Sequence, residues 1–214
     1  MSEKTVVYLH GFASSNQGEK AKFIREKCRE RDDFQFEAIN FNPTPVDFRL
    51  MSITGMIHRL RQFLWDHQIQ QPLLVGSSLG GLVSLQYASR YQVRKNLLLA
   101  PLLAYQSLGM SAEALSWWEE QGEIEIDHYA FPGKIELGYQ FHRDGQNYQD
   151  MIPPEAPTLI LHGRRDERVP VEDSRYYAEQ HPSAVRLVEV DSDHRLGDQH
   201  EVIWDQITSF LLSE

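Results

Sequence analysis

The chain has 214 residues, 41% of them hydrophobic, and acidic residues outnumber basic ones to give a formal net charge of −10 at pH 7. This length is enough for one domain with a substantial core. The negative charge argues against sequence-independent binding to nucleic acid or to an anionic membrane surface, because both depend on a cationic face.

The rest of the composition favours a cytoplasmic location. The single cysteine, Cys28, cannot form an internal disulfide, and no signal-peptide pattern precedes the first apolar run. No apolar run approaches the roughly 20 residues that a membrane-spanning helix needs. The composition does not indicate an oligomeric state.

Six short runs of apolar and β-branched residues predict β-strands, and the segments between them have the spacing of amphipathic helices. In chain order the predicted elements are strand Thr5–His10, helix Glu19–Arg31, strand Phe34–Ile39, a helix over Ile53–Leu64, strand Pro72–Gly76, helix Leu79–Tyr91, strand Asn96–Ala100, helix Ser111–Gln121, strand Thr158–His162, helix Val171–Gln180, strand Val185–Val190 and helix Glu201–Leu212. Apolar strands that alternate with helices are typical of a parallel sheet covered on both faces. The sequence therefore predicts an α/β fold, a three-layer α/β/α sandwich with about six mostly parallel strands.

Residues 102–157 interrupt this alternation and carry only one of the predicted helices. Long insertions of this kind are usually lids or binding loops. We therefore expect a lid-like or cap segment inserted within a single domain that spans residues 1–214. Its aromatic side chains are candidate pocket residues: Trp117, Trp118, Phe131 and Tyr139. The alternative is a segment that only packs on the domain through those aromatics.

Residues 76–80 have the sequence Gly-Ser-Ser-Leu-Gly and fit the pattern G-x-S-x-G. They fall between a predicted strand and a predicted helix, which is the context that a nucleophile elbow requires. In such an elbow a strained turn lifts the central serine above the end of the sheet, and a Cβ two residues to either side would collide with neighbouring backbone. Ser78 occupies the central position and is the candidate nucleophile, whereas Ser77 lies outside that position.

The pattern alone is weak, because glycine and serine are ordinary turn residues. A serine hydroxyl needs an imidazole to accept its proton, and the imidazole needs a carboxylate to fix its tautomer. Asp166 and His194 each follow a predicted strand, at the sheet edge where α/β proteins place functional loops. The chain order Ser78, Asp166, His194 is the order expected for a nucleophile elbow.

Other polar residues are less well placed for these roles. Glu167 is the alternative acid but comes later in its loop, and Asp191 and Asp193 lack the ligand spacing of a metal site. His10 and His162 end strands and are each followed by glycine, so we expect them to shape or line the site. Further histidines lie on or beside helices or in the inserted segment: His58, His67, His142, His181 and His200.

Acyl transfer also requires hydrogen-bond donors aimed at the oxygen that becomes negatively charged. The backbone N–H of Leu79 directly follows the candidate nucleophile at the start of a helix. A second donor is expected from the loop after the first strand, where Phe12 N–H is the best placed and Gly11 permits close approach. These two amides form the predicted oxyanion hole.

The segments "YLHGFASS", "VGSSLGG", "GRRDERVP" and "DSDH", in this order, resemble the α/β-hydrolase superfamily, and within it the small bacterial single-domain esterases and thioesterases. The resemblance implies hydrolysis of small-molecule carboxylic esters or acyl thioesters through an acyl-enzyme, with no cofactor. Arg195 departs from the pattern, because it places a cation where a small or apolar residue is expected. It is a candidate contact to an anionic substrate.

Two other functions fit the same residues. A catalytically silent protein would keep the fold and use the aromatic insertion to hold a ligand, although loss of catalysis would usually erase a triad residue, and none is missing. The same triad also supports C–C bond hydrolysis, lyase chemistry or peptidase chemistry. A panel of ester and peptide substrates separates these activities.

Overall fold

The fold is given by a computed structural model that describes residues 4–105 and 110–213. Its strands are β1 Lys4–Leu9, β2 Phe34–Ile39, β3 Leu73–Ser77, β4 Lys95–Leu99, β5 Glu123–Asp127, β6 Lys134–Gly138, β7 Thr158–Gly163 and β8 Val185–Val190. Six of them form one parallel sheet in the order β2-β1-β3-β4-β7-β8. The other two, β5 and β6, pair as a separate antiparallel hairpin.

The helices are α1 Glu19–Cys28, α2 Pro45–Arg49, α3 Ile53–Asp66, α4 Leu79–Ala88, α5 Ala112–Gln121, α6 Gln140–Gly145, α7 Val171–Gln180 and α8 His200–Gln206, and a π-helical turn over Ile207–Leu211 continues α8. Several helix ends follow from the local sequence. Thr44 and Asp47 form a capping box around α2, with Pro45 in its first turn. Ser52 caps α3 through the N–H of Gly55. Gly122 ends α5 in the left-handed conformation.

Helices cover the parallel sheet on both faces, because its strands are apolar on both. Val6 and Tyr8 of β1 pack on the side of α1 and α8, while Val7 and Leu9 pack on the side of α3 and α4. Helix α4 lies directly behind the elbow, and all ten of its residues are buried. This three-layer α/β/α arrangement is the predicted one, and it places the carboxyl ends of β1, β3, β7 and β8 along one edge.

The insertion, residues 102–157, connects β4 to β7 and contains α5, the β5–β6 hairpin and α6. Within it, the indole N–H of Trp118 donates to the carbonyl of Leu137 over 3.1 Å and ties α5 to the hairpin. Polar contacts that dock it on the rest of the molecule include an ion pair and a side-chain hydrogen bond. Arg49 pairs with Glu123, and the Thr54 hydroxyl donates to Asp144 over 2.6 Å.

The six predicted strands of the sheet are confirmed, with ends that differ by at most one residue. The helix predicted over Glu19–Arg31 stops at Cys28, and the one predicted over Glu201–Leu212 changes from α to π geometry after Gln206. The hairpin and the short helices α2 and α6 were absent from the prediction. Across residues 4–105 and 110–213, no helix combines the length and apolar character needed to cross a membrane. The cytoplasmic location stays a prediction.

Candidate active site

Ser78 lies on a strained turn between β3 and α4. Its backbone has φ 52° and ψ −117°, a conformation that L-residues rarely adopt outside sites that demand it. The two flanking glycines make the turn possible. A Cβ on Gly76 would lie 2.6 Å from the carbonyl oxygen of Gly80, and a Cβ on Gly80 would lie 2.8 Å from the carbonyl oxygen of His10. The structure therefore has the steric form of a nucleophile elbow at Ser78.

Backbone hydrogen bonds fix this turn from both sides. The N–H of Ser78 donates to Leu99 O at the end of β4 over 2.9 Å, and its carbonyl accepts from the N–H groups of Gly81 and Leu102 over 2.8 and 3.1 Å. These contacts hold the strained residue without using its side chain. The hydroxyl is therefore free to interact across the sheet edge.

A continuous chain of hydrogen bonds links Ser78, His194 and Asp166. The distance from Ser78 Oγ to His194 Nε2 is 3.0 Å, and that from His194 Nδ1 to Asp166 Oδ2 is 2.7 Å. Because a carboxylate only accepts, Nδ1 of His194 carries the proton and Nε2 offers its lone pair to the serine hydroxyl. The side chain of His194 is 17% exposed, while that of Asp166 is fully buried.

Asp166 is held as an ion by four N–H donors. Its Oδ2 accepts from His194 and from Nε2 of His162 over 3.0 Å, and its Oδ1 accepts from the backbone N–H groups of Arg168 and Val169 over 2.9 Å each. Burial by itself raises the pKa of Asp166, but the hydrogen bonds from His162, His194 and Val169 outweigh it and hold that pKa well below its usual range. The carboxylate therefore stays negative beside the imidazole.

His162 has a more direct part in the site than the sequence indicated. Its ring is completely buried, with Nδ1 2.7 Å from the hydroxyl of Ser174 and Nε2 within reach of both Asp166 and the carbonyl of Val169. Since both partners of Nε2 accept, that nitrogen carries the proton and Ser174 donates to Nδ1. His162 is thus a fixed donor to Asp166. Its position four residues before Asp166, at the end of β7, was the signal for this role.

The two predicted oxyanion donors come from two segments that meet at Ser78, the start of α4 and the loop after β1. Leu79 provides the first N–H of α4, which has no acceptor within its own helix. Gly11 precedes Phe12, and a Cβ on it would lie 3.2 Å from Cβ of Ser78, so the loop after β1 runs directly against the candidate nucleophile. In the part of the chain that the structure describes, Phe12 N–H donates to no protein acceptor.

An aromatic cluster surrounds the loop after β1. The ring of Phe12 packs on Phe48 and on Phe141 of the insertion at 5.6 and 5.8 Å between centroids, and His128 packs edge-on against Phe48 at 4.8 Å. The side chain of His10 is fully buried. Its Nδ1 lies 2.8 Å from Gly11 O, and its Nε2 accepts from Phe41 N–H. These contacts hold His10 against the loop after β1, and its predicted part in shaping or lining the site stays a prediction.

The predicted substrate-binding aromatics lie in different surroundings. Trp118 is buried in the interior of the insertion, where Tyr139 packs on it at 5.6 Å, and Trp117 is 56% exposed. Phe131 lies in a cleft of about 410 Å³ beside the loop after β1. The cleft is otherwise lined mainly by polar residues: Ser14, Ser15, Asn16, Gln17, Gly18, Asn40, Tyr129 and Ala130.

Three residues near the site carry no role in the sequence prediction. His128 is buried, and no hydrogen-bond partner lies on its Nε2 in the described residues. Tyr129 binds the loop after β1 through its N–H, which donates to Ala13 O over 3.0 Å. Arg168 supplies one of the donors to Asp166. Within the described ranges, no group of three His, Cys, Asp or Glu side chains is arranged to hold a metal ion.

Comparison with known proteins identifies the family. The family model for uncharacterised protein family UPF0227 matches residues 5–212. The mitochondrial palmitoyl-protein thioesterase ABHD10 of Mus musculus is 24% identical over 211 residues, which cover 92% of this chain and 71% of the mouse protein.

Solved structures share the fold. A crystal structure from Agrobacterium vitis S4 superimposes with a TM-score of 0.83 at 21% identity, covering 99% of this chain and 88% of the other. Alpha/beta hydrolase domain-containing protein 10 from mouse has a TM-score of 0.76 at 23% identity, with 96% and 89% covered. The protein therefore belongs to the UPF0227 family and has the α/β-hydrolase fold.

Proposed function

We propose that the protein is a serine hydrolase that cleaves carboxylic esters or acyl thioesters through an acyl-enzyme. One observation carries this proposal, namely the unbroken chain from Ser78 Oγ through His194 to Asp166 on a strained elbow. A buried carboxylate, an oriented imidazole and a raised hydroxyl are the components that nucleophilic acyl transfer needs. The triad roles and the oxyanion hole are parts of the same proposal.

In the first half-reaction, Ser78 Oγ attacks the carbonyl carbon of the substrate while Nε2 of His194 accepts the hydroxyl proton. The carbonyl oxygen becomes an oxyanion and accepts hydrogen bonds from the N–H groups of Phe12 and Leu79. Asp166 stabilises the imidazolium that forms. When the tetrahedral intermediate collapses, the bond to the leaving group breaks, and His194 gives its proton to the departing alcohol or thiol.

In the second half-reaction, water replaces the alcohol or thiol. His194 accepts a proton from this water as its oxygen attacks the carbonyl carbon of the acyl-enzyme. The same two N–H groups bind the oxyanion again. Collapse releases the carboxylic acid and returns the proton to Ser78 Oγ, which restores the starting state without a cofactor.

The named relatives support this chemistry at a general level. The mouse relative is a palmitoyl-protein thioesterase, and structural neighbours include Est1E from Butyrivibrio proteoclasticus in complex with ferulic acid and a monoacylglycerol lipase. In this proposal the insertion is a cap beside the site. Its Phe141 packs on Phe12, and the N–H of its Tyr129 donates to Ala13 O.

The proposal is tested with an acyl-chain-length series of p-nitrophenyl esters and coenzyme A thioesters. We expect turnover of at least one member by the wild-type protein, and a loss on the order of 10⁴- to 10⁶-fold in kcat for Ser78→Ala. Peptide substrates in the same panel distinguish peptidase activity from ester or thioester hydrolysis. Equal rates for wild type and Ser78→Ala would overturn the assignment of the nucleophile.

A further inference from the structure

Two arginines converge on one phenol beside the candidate active site. The guanidinium of Arg195 donates to the hydroxyl of Tyr129 over 3.1 Å, and that of Arg168 donates to the same oxygen over 3.5 Å. Arg195 also lies over the Tyr129 ring, 5.3 Å from its centroid. All three side chains are exposed at the surface. We refer to these three residues as the Arg–Tyr cluster.

Each member of the Arg–Tyr cluster is attached to a different part of the site. Arg195 directly follows His194, and Arg168 N–H donates to Asp166 Oδ1. Tyr129 binds the loop after β1 through Ala13 O, next to the proposed donor Phe12. The backbone of each member is therefore held in or against a loop that carries the base, the acid or a proposed oxyanion donor.

The cluster concentrates positive charge in an acidic protein. In residues 4–105 and 110–213, neither guanidinium has a carboxylate oxygen within 4.0 Å, while other arginines of the same loops are paired, as Arg165 is with Asp191. The two guanidinium groups repel each other, because the hydroxyl between them is neutral. A chain with net charge −10 has many carboxylates that could neutralise these two cations.

The surroundings of the cluster match an anionic ligand. Hydrogen bonds from Arg195 and then Arg168 lower the pKa of the Tyr129 phenol, although burial opposes this. Lys20 adds a third cation, since its ammonium donates to Arg195 O. Asp193 and Glu19 place opposing charge near Lys20, and one carboxylate oxygen of Asp193 accepts from the N–H of Arg195. The cleft of about 410 Å³ begins at Tyr129 and offers room for the rest of a ligand.

We infer that the Arg–Tyr cluster is a specificity subsite for an anionic group, a carboxylate or a phosphate, carried by the ester or thioester substrate. A guanidinium pair matches such oxygens by charge and by its forked donors. The inference rests on the proposed function, because it concerns the substrate of the same site. It extends the expected role of Arg195 to Arg168 and Tyr129, which no sequence pattern indicated.

Two matched substrate pairs test the subsite. The first places the anion on the leaving group: S-butyryl-3-mercaptopropionate against its methyl ester, followed by release of the thiol. The second places it on the acyl side: mono-p-nitrophenyl glutarate against p-nitrophenyl valerate. The quantity compared is the ratio of kcat/KM for the anionic substrate to that for its neutral partner.

For wild type we expect this ratio to be about 10 or more in one of the two pairs. The pair that shows it identifies the side of the scissile bond that faces the cluster. The double variant Arg168→Gln/Arg195→Gln should lower that ratio at least tenfold, and Tyr129→Phe should lower it less. Arg165→Gln, in the same loop but paired with Asp191, should keep the wild-type ratio.

A ratio near one in both pairs, or a ratio that the double variant leaves unchanged, would overturn the subsite. Loss of the preference in Arg165→Gln as well would do the same, because it would trace the effect to general surface charge. If wild type cleaves none of the four substrates nor any member of the chain-length series, the proposed function fails first. These results are distinguishable, since the neutral substrates report on the chemistry alone.

Discussion

The carboxyl edge of the parallel sheet and the insertion that lies against it are built in different ways. At the sheet edge, Ser78, Asp166 and His194 come from three distant loops, and hydrogen bonds hold the backbone of Ser78, the imidazole of His194 and both carboxylate oxygens of Asp166. The insertion is held by its own hairpin and a few docking contacts, and it exposes large side chains: Met110, Trp117 and Tyr129. We propose that this difference reflects a division of roles, in which the sheet edge carries the chemistry and the insertion selects what reaches it.

The largest difference between the two regions is expected when a glycine in each is replaced by alanine. Gly80→Ala places a Cβ under 3.0 Å from the backbone oxygens of Leu9 and His10. We expect a loss of about 1–3 kcal/mol in the free energy of unfolding, together with loss of hydrolysis as the elbow shifts. Urea unfolding and the ester assay measure the two effects.

Gly133→Ala in the turn of the hairpin is the matched change. No atom lies within 4 Å of its added Cβ in the described structure, and only the positive φ of 78° opposes it, at a cost of about 1 kcal/mol. Hydrolysis should persist in this variant. Equal loss of activity in both variants would contradict the division between the two regions.

The next effect is the pH dependence of stability at His10. Burial lowers the pKa of His10 to about 4, whereas an imidazole in the unfolded chain has a pKa of about 6.5. Between these values the unfolded state binds the additional proton, so stability falls as the pH falls. From pH 7 to pH 5 we expect this group to remove about 2 kcal/mol from the free energy of unfolding.

Urea unfolding at both pH values checks this prediction. His10→Gln keeps an acceptor for Phe41 N–H and lacks the titrating group, so its loss between pH 7 and pH 5 should be smaller than that of wild type by that amount. His58 is exposed on α3, and His58→Gln should keep the wild-type dependence. An identical slope in His10→Gln and wild type would show that His10 does not carry the effect.

An effect of similar size is expected from His162, which we propose positions Asp166 without touching the substrate. His162→Leu removes one donor to a buried carboxylate, and a hydrogen bond to a charged group contributes about 1.5–3 kcal/mol. We expect kcat to fall about tenfold or more while KM changes little. His162→Gln returns a donor and should recover part of kcat. A purely structural role would instead lower the melting temperature of both variants and show no recovery.

The smallest effect belongs to the insertion. Trp118→Phe keeps an aromatic ring but removes the hydrogen bond to Leu137 O, at a cost of about 1 kcal/mol. Hydrogen exchange of the amides of β5 and β6 should accelerate about fivefold. The amides of α4 should exchange as in wild type. Equal acceleration in α4 would mean that the insertion and the sheet edge open as one unit.

Most of the parallel sheet could be predicted from the sequence because its strands are apolar throughout and bounded by turn residues. The hairpin was missed although a signal was present. Residues 123–127 read Glu-Ile-Glu-Ile-Asp, the two-residue period of a half-exposed strand. The long insertion hid it, since an exposed hairpin with charged residues resembles a loop in composition.

The candidate site likewise has a part that the sequence predicts and a part that it does not. Positions at the ends of β3 and β7 and just after β8 could be inferred from chain order, and the structure brings Ser78, Asp166 and His194 into contact. The convergence of Arg168 and Arg195 on Tyr129 could not be inferred. It depends on how the insertion folds back over the sheet edge, and no local pattern in residues 102–157 specifies that path.

The central claim is that Ser78 is a nucleophile activated by His194, and covalent labelling with a fluorophosphonate probe tests it most directly. Wild type should acquire one label, localised to Ser78 by mass spectrometry of the digested protein. Ser77→Ala should still be labelled, while Ser78→Ala should not, and His194→Ala should react far more slowly. A wild-type protein that stays unlabelled, or a Ser78→Ala variant that labels equally well, would contradict the account.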